Sequence, residues 1–352
     1  MKVLPFHNVQ KPTKNRLPHS VGYLCLFLIG MALAYNGLLV FPEPWTGLLR
    51  EALSGTYVAF FMGMLATSIL QSSSLSVLLI ALFSAAGLGD LAIMIPAIIG
   101  ANVGTIITIT IEALGVNTSE TAFRRAITTV LLQDFFKLLT ALIVFPLESH
   151  FHILEKALEA ITNLIDFSFC GFSLGDWTGQ HAIFAFLGFG LVTIAMQLWE
   201  KRWLGWLELR FEEVFNRHAP EQHHSFFLLG FLWTLVLQSS ALVIAQLVPR
   251  AMRRALTLNH TFPFLVGTNL GKTLLIFIGA LVLPAAAMQV ALFHLFFNLA
   301  GMLLFWVIRP MRQLPTSLAQ WMGVAILRNR LLGFFYILTL FFVLPFLLIL
   351  LG

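Results

Sequence analysis

Apolar and polar residues follow one another along this chain in long blocks rather than in short alternation. Apolar runs of membrane-crossing length occupy residues 21–41, 91–112, 126–147, 181–199, 262–283, 287–309 and 331–351. A helix needs about 20 apolar residues to cross the hydrocarbon core, so each run predicts a spanning helix. Two further blocks, 56–87 and 225–249, each hold two apolar arms of about 12 to 16 residues joined by Gln-Ser-Ser. Such arms are short for a span, and the blocks predict hairpins that enter and leave on one side. The stretch 200–224 mixes Trp203 and Trp206 with Glu208, Arg210 and Glu212, the pattern of a helix lying on the inner membrane surface. Ala32 and Ala34 form a weak cleavage signal, but the first run continues beyond them. A true first span is therefore expected over a signal peptide.

Composition narrows the class. The 352 residues are 59% hydrophobic and 11% charged, with a mean hydropathy of +0.88. A soluble domain carries about 25% charged residues. The shortfall excludes a soluble enzyme, a disordered regulator and a nucleic-acid binder. The net charge of +5 suits basic cytoplasmic loops. Bases cluster at 2–16, Arg124/Arg125, 201–217, 250–254 and 309–330, whereas 148–180 holds Glu148, Glu155, Glu159, Asp166 and Asp176 with Lys156. Basic clusters inside place the N-terminus in the cytoplasm and the acidic stretch outside. The two hairpins then enter from opposite faces, so an all-α polytopic membrane protein with inverted topology is expected. Cys25 and Cys170 lack metal-ligand spacing and predict no disulfide. His150/His152 and His218/His223/His224 read as residues of wet loops, and no nucleotide-binding Gly-rich loop is present.

The same chain contains a repeat. Gln71-Ser72-Ser73-Ser74 recurs as Gln238-Ser239-Ser240-Ala241, and Gly100-Ala-Asn102-Val-Gly104-Thr105 recurs as Gly267-Thr268-Asn269-Leu-Gly271-Lys272. The Gln-to-Gly spacing is 29 in both copies. A third element, Gln133-Asp134-Phe-Phe-Lys137, corresponds to His294-Leu-Phe-Phe-Asn298, with six residues of difference absorbed by the loop Val116–Thr121. Expected boundaries are 1–54 for the N-terminus and first helix, 55–147 for repeat 1 and 225–310 for repeat 2. Residues 148–224 form the acidic loop, a connecting span and the interfacial helix, and 311–352 a linker and last span.

Each polar element carries chemistry. Gln-Ser-Ser at a hairpin tip brings hydroxyls and an amide to membrane depth, where non-helical backbone needs a protein-lined cavity. The arm that starts there offers free N–H groups suited to an anion, and serine lone pairs also suit a cation. Two tips meeting from opposite faces enclose one midplane site. The plainer alternative is that these hydroxyls glue helices together. The Gly-x-Asn-x-Gly elements weaken a helix where a carbonyl turns toward a ligand. Their glycines, four apart, equally suit close helix packing.

In this order and spacing the motifs QSSS, GANVGT, FRRA (Phe123–Ala126), QDFF, the second QSS, GTNLGK and HLFFN resemble the type II sodium–phosphate cotransporters. The resemblance runs from about residue 55 to 310. It implies two inverted repeats, each with a hairpin and a broken helix, and sodium-driven transport of inorganic phosphate. Family function carries to Gln71, Ser72, Ser73, Gln238, Ser239 and Ser240 for phosphate, and to Ser74, Asn102, Thr105, Thr268 and Asn269 for the coupling ion. No cofactor beyond sodium is implied. The partners expected are phosphate, sodium and the lipid bilayer, in a bacterial inner membrane.

The chain departs from the family where charge matters. Ala241 replaces a serine, Lys272 stands where a Thr is usual, Lys137 replaces an Asn, and Glu112 falls at an apolar position. An intramembrane charge costs about 2.5–3.5 kcal/mol on insertion scales, so it needs a partner. Glu112, Asp134, Lys137 and Lys272 are expected to form one intramembrane network, with Lys272 standing in for a coupling cation or binding phosphate. A structural Lys–Glu pair is the alternative. The rival functions are transport driven by protons or of another oxyanion, a membrane enzyme using Ser72 or Ser239, and a non-transporting phosphate sensor. An enzyme needs a base beside its serine, and no ionisable residue lies within one turn of either motif.

Overall fold

Every regular element among the described residues is helical. The computed structural model describes residues 17–53, 55–164, 182–217, 223–253 and 256–351. In chain order the first helices are α1 (Leu17–Leu39), α2 (Glu43–Leu53), α3 (Thr56–Leu70), α4 (Ser73–Ala85), α5 (Leu91–Val103) and α6 (Ile107–Leu114). Then come α7 (Glu120–Phe151), α8 (Ile153–Leu164), α9 (Ile183–Arg217), α10 (His223–Leu237), α11 (Ser240–Ala245) and α12 (Leu247–Met252). The last six are α13 (Leu258–Gly271), α14 (Thr273–Ala280), α15 (Ala285–Met302), α16 (Gln313–Arg328), α17 (Arg330–Leu338) and α18 (Leu344–Leu351). Among the described residues six helical stretches are long and apolar enough to cross a membrane: His19–Leu39, Glu120–Phe151, Ile183–Glu208, Leu258–Ala280, Ala285–Val307 and Arg330–Leu350. The remaining expected span, 91–112, is divided: α5 stops at Val103, a 3-10 turn covers Gly104–Ile106, and α6 resumes.

Both Gln-Ser-Ser motifs interrupt a pair of helices in the same way. Gln71 takes φ 53° and Gln238 φ 58°, the left-handed conformation that closes a helix. The next residues are extended, Ser72 at φ −147° and Ser239 at φ −131°, and each precedes the following helix. Each Gln N–H returns to a threonine carbonyl, Thr67 or Thr234, at 2.7 Å. The arm after the second tip breaks once more at Gln246, because Pro249 removes the N–H that would continue α11 into α12.

The glycines of the repeat explain the packing of α3 on α5 and of α10 on α13. A Cβ on Gly100 would strike the Phe60 carbonyl, and one on Gly267 the Phe227 carbonyl. Gly104 lies against Met64 and Gly271 against Phe231 in the same manner, and Gly63 and Gly230 return the contact to Ala97 and Phe264. Each second-repeat residue is 167 positions beyond its first-repeat counterpart, as Gln238 is beyond Gln71. The packing role and the helix break are therefore both present at the same glycines.

The connecting segments are helical over most of their described length. No separate interfacial helix follows residue 199: α9 runs unbroken to Arg217. Trp199, Trp203 and Trp206 fall on one helical face, meet in tilted and edge-to-face contacts, and through Trp206 reach the edge of Trp233 on α10, which ties this part of α9 to the bundle. In the linker before the last span, α16 packs on α7 with Gly323 against Thr128. Within the expected acidic loop, buried Glu148 accepts N–H bonds from Leu154 and Glu155, both 2.8 Å, and so caps α8. The basic N-terminus and Cys170 lie outside the described residues, and Cys25 is exposed and unpaired.

Candidate functional site

Gln71, Ser72, Ser73 and Ser74 from the first tip and Gln238, Ser239, Ser240 and Ala241 from the second line one cavity of about 240 Å³. The tips are thus brought together although 167 residues separate them. Thr105, at the 3-10 turn, and Thr193, Gln197 and Glu200 of α9 complete the polar part of the wall. The cavity suits a small polar species, being below the roughly 300 Å³ of ordinary organic-ligand pockets. Ser72 caps α4 by accepting the Leu75 N–H at 3.3 Å. Its geometry leaves first-turn N–H groups of that helix beside the cavity, a setting for an oxyanion.

Behind the tips lies a second layer of buried polar groups. Lys272, at the junction of α13 and α14, is 1% exposed; its Nζ donates to Ser73 Oγ at 2.9 Å and to Asn102 Oδ1 at 3.3 Å. Lys137 of α7, also 1% exposed, donates from Nζ to Thr105 Oγ1 at 3.0 Å. The two ammonium groups are close enough to interact electrostatically. His294 Nε2 lies 3.2 Å from Asn102 Oδ1 and from Asn298 Nδ2. Gln133 and Asn269 exchange amide hydrogen bonds at 2.9 and 3.1 Å. Thr268 Oγ1 turns back to its own helix, donating to the Leu265 carbonyl.

The expected charge network is only partly assembled. Asp134 is buried; its Oδ2 accepts from Thr110 and Tyr336 at 3.5 and 3.3 Å, and Lys137, one helical turn away on α7, acts on it electrostatically. Glu112 is not a member. It is exposed on the last turn of α6, two residues before the helix ends at Leu114, and no hydrogen bond or ion pair joins it to the cluster among the described residues. Neither buried lysine has a carboxylate within ion-pair distance among the described residues. Their partners are instead the neutral oxygens of Ser73, Asn102 and Thr105.

Three residues of the site escaped the motifs. Glu200 lines the cavity and interacts with the Ser239 hydroxyl, so a carboxylate reaches a motif that has none nearby in sequence. Its position in a Trp-rich amphipathic stretch disguised it. Thr67 and Thr234 sit one turn before each Gln, fully buried, with hydroxyls that have no hydrogen-bond partner among the described residues. They are matched at the repeat offset, the one signal that points to them. No group of three metal-ligating side chains of the His, Cys, Asp or Glu type exists among the described residues.

Comparison with known proteins fits this geometry. A family model for the Na+/Pi-cotransporter matches residues 26–201 and 204–328. Sodium-dependent phosphate transport protein 2C of Homo sapiens is 41% identical over 122 residues, 34% of this chain and 20% of that protein. Protein 2A of Rattus norvegicus is 23% identical over 425 residues, 94% of this chain and 66% of that protein. Protein 2B of Homo sapiens is 23% identical over 443 residues, 94% of this chain and 64% of that protein. The chain thus spans less than two thirds of the length of these curated relatives. No solved structure matches.

Proposed function

The chain belongs to the Na+/Pi-cotransporter family, a family of transporters rather than enzymes, and on that premise we propose that it carries inorganic phosphate across a membrane by secondary active transport coupled to sodium. It is a multi-pass membrane protein, with six membrane-length apolar helices. The observation that carries the reading is the meeting of two Gln-Ser-Ser tips on one small polar cavity. Phosphate is assigned to Gln71, Ser72, Ser73, Gln238, Ser239 and Ser240, whose amides and hydroxyls supply donors to its oxygens.

Sodium is assigned to the neutral oxygens around the tips, those of Ser74, Asn102, Thr105, Thr268 and Asn269, with Lys272 among them as a charged neighbour. The unpartnered hydroxyls of Thr67 and Thr234 extend this set. Hard oxygen ligands suit an alkali cation, and a buried hydroxyl without a partner is costly unless something binds it. In this reading the two helix pairs, α3/α4 and α10/α11, are re-entrant hairpins from opposite faces, and the repeats are inverted in the membrane. The cell inner membrane of a bacterium, with the N-terminus inside, is the location that the basic loops favour.

Radiolabelled phosphate uptake into proteoliposomes, under separately imposed sodium and proton gradients, tests the reading. The expected result is uptake driven by an inward sodium gradient. Uptake driven by the proton gradient alone points to the proton-coupled variant. Absence of flux under both, with the protein correctly inserted, removes the transport reading.

A further inference from the structure

The internal repeat gives each buried lysine a counterpart. Position 272 corresponds to Thr105, and position 137 corresponds to Asn298. Both lysines therefore replace a neutral oxygen ligand by an ammonium, and both ammoniums converge on the first repeat. Lys272 holds Ser73 Oγ and Asn102 Oδ1; Lys137 holds Thr105 Oγ1. Two of the oxygens assigned to sodium in this repeat, those of Asn102 and Thr105, are already engaged by protein-borne charge, and so is Ser73 of the phosphate set. Ser73 and Thr105 also line the cavity between the tips, so each ammonium stands one hydroxyl behind it.

Charge bookkeeping within the cluster points the same way. Two lysines share their helix cluster with the buried carboxylate of Asp134, whose Oδ2 accepts from Thr110 and Tyr336 and whose Oδ1 has no hydrogen-bond partner among the described residues; neither Nζ bonds to it. On the first-repeat side of the cavity, away from Glu200 at the second tip, one formal positive charge is left without a carboxylate. A charge so deeply buried needs compensation, and a bound oxyanion supplies it. Glu200 lines the same cavity beside Ser239 and forms no ion pair with either lysine among the described residues. A cation added to Ser73, Asn102 and Thr105 would meet two ammonium groups at contact range.

We infer that Lys137 and Lys272 are tethered counter-cations: they fill the cation position of the first repeat and neutralise the transported anion, so that phosphate binds with fewer sodium ions than two symmetric repeats would take. The second repeat has lost two oxygens, at Ala241 and Lys272, but keeps those of Thr234, Thr268 and Asn269, and these are left for sodium. This rests on the phosphate-transport reading given above. The consequence is a loosened thermodynamic linkage between the two ligands, since the effect of one on the affinity of the other is a single reciprocal coupling factor.

The test restores the repeat's own symmetry. Lys272→Thr and Lys137→Asn install the counterpart residues and are compared with wild type by phosphate binding in detergent and by paired sodium and phosphate fluxes in proteoliposomes. In wild type, removing sodium is expected to weaken phosphate binding by less than about fivefold, the low end of ordinary site coupling. In each variant the factor is expected to exceed about tenfold, and the sodium carried per phosphate to rise by about one, the charge of one ammonium. Wild-type binding measures the coupling without any variant, so a variant that fails to fold leaves the idea exposed. Wild-type binding lost on sodium removal, or variants with unchanged flux ratios, overturns the inference while leaving phosphate transport standing. Absence of phosphate binding and flux in wild type overturns both.

Discussion

Gln133 and Asn269, in different repeats and 136 residues apart, hold each other by two amide hydrogen bonds of 2.9 and 3.1 Å. The repeat maps Gln133 onto His294 and Asn269 onto Asn102, and those two residues also meet, at 3.2 Å. Each repeat's third element thus reaches across to the other's Gly-x-Asn-x-Gly helix. Such reciprocal contact, i to j and j to i, is the mark of a two-fold relation.

The cross-repeat amide pair should be measurable as coupling. Gln133→Leu and Asn269→Leu are each expected to lower the melting temperature in detergent, because each leaves a buried amide unmet at about 1–3 kcal/mol. A double-mutant cycle should return a coupling near 1 kcal/mol, as for hydrogen bonds between membrane helices. Additive losses would mean that the two amides do not sense each other in the folded protein.

Backbone and side-chain roles separate at the tips. Gln71 and Gln238 both hold left-handed backbone, which costs a non-glycine residue about 1–2 kcal/mol. Gln71→Gly is expected to keep or raise thermal stability while weakening phosphate binding, whereas Gln71→Ala loses both. Unchanged phosphate affinity in the glycine variant would remove the amide from the site.

Glycine contacts set a steric limit. Gly100→Val and Gly267→Val place a side chain on the Phe60 and Phe227 carbonyls, an overpacking worth about 1–3 kcal/mol or more. The yield of monodisperse protein and its melting temperature should fall in both. Gly190→Ala is the control, since nothing lies within 4 Å of an added Cβ there. Equal behaviour of all three would show the helix pairs to be looser than they are drawn.

Glu200 puts a carboxylate at the wall of a cavity assigned to an anion. Glu200→Gln keeps a side chain that bonds Ser239 and removes like-charge repulsion. Half-saturating phosphate is expected to fall on the order of fivefold, a modest value because the site is only partly desolvated. A rise instead would make Glu200 a positioning residue for Ser239.

Much of this site was legible because it is written twice. The matched Gln-Ser-Ser and Gly-x-Asn-x-Gly elements gave the tips, the helix breaks and the glycine packing, since local backbone chemistry decides each of these. Glu200 was not legible, because only the packing of α9 beside both tips brings residue 200 to Ser239. Glu112 was misplaced for the opposite reason: hydropathy located it in a span, but the break at Gly104 leaves it on the last turn of a short helix. The partners of Lys137 and Lys272 also had to await the fold. Sequence suggested carboxylates, and the structure supplied hydroxyls and an amide.

The glycine seats between α3 and α5, and between α10 and α13, bear on how the molecule can change shape. A carbonyl lodged where a side chain would stand leaves no slack for sliding, and a shift of one residue would drive a Cβ into it. Each helix pair is therefore a stiff block. Compliance is left to the polar seam, where amides, hydroxyls and ammoniums can exchange partners without opening a void. If the chain transports as proposed, the boundary that moves and the cavity that holds the cargo would be one surface, so a mutation that slows motion there would be expected to alter recognition as well.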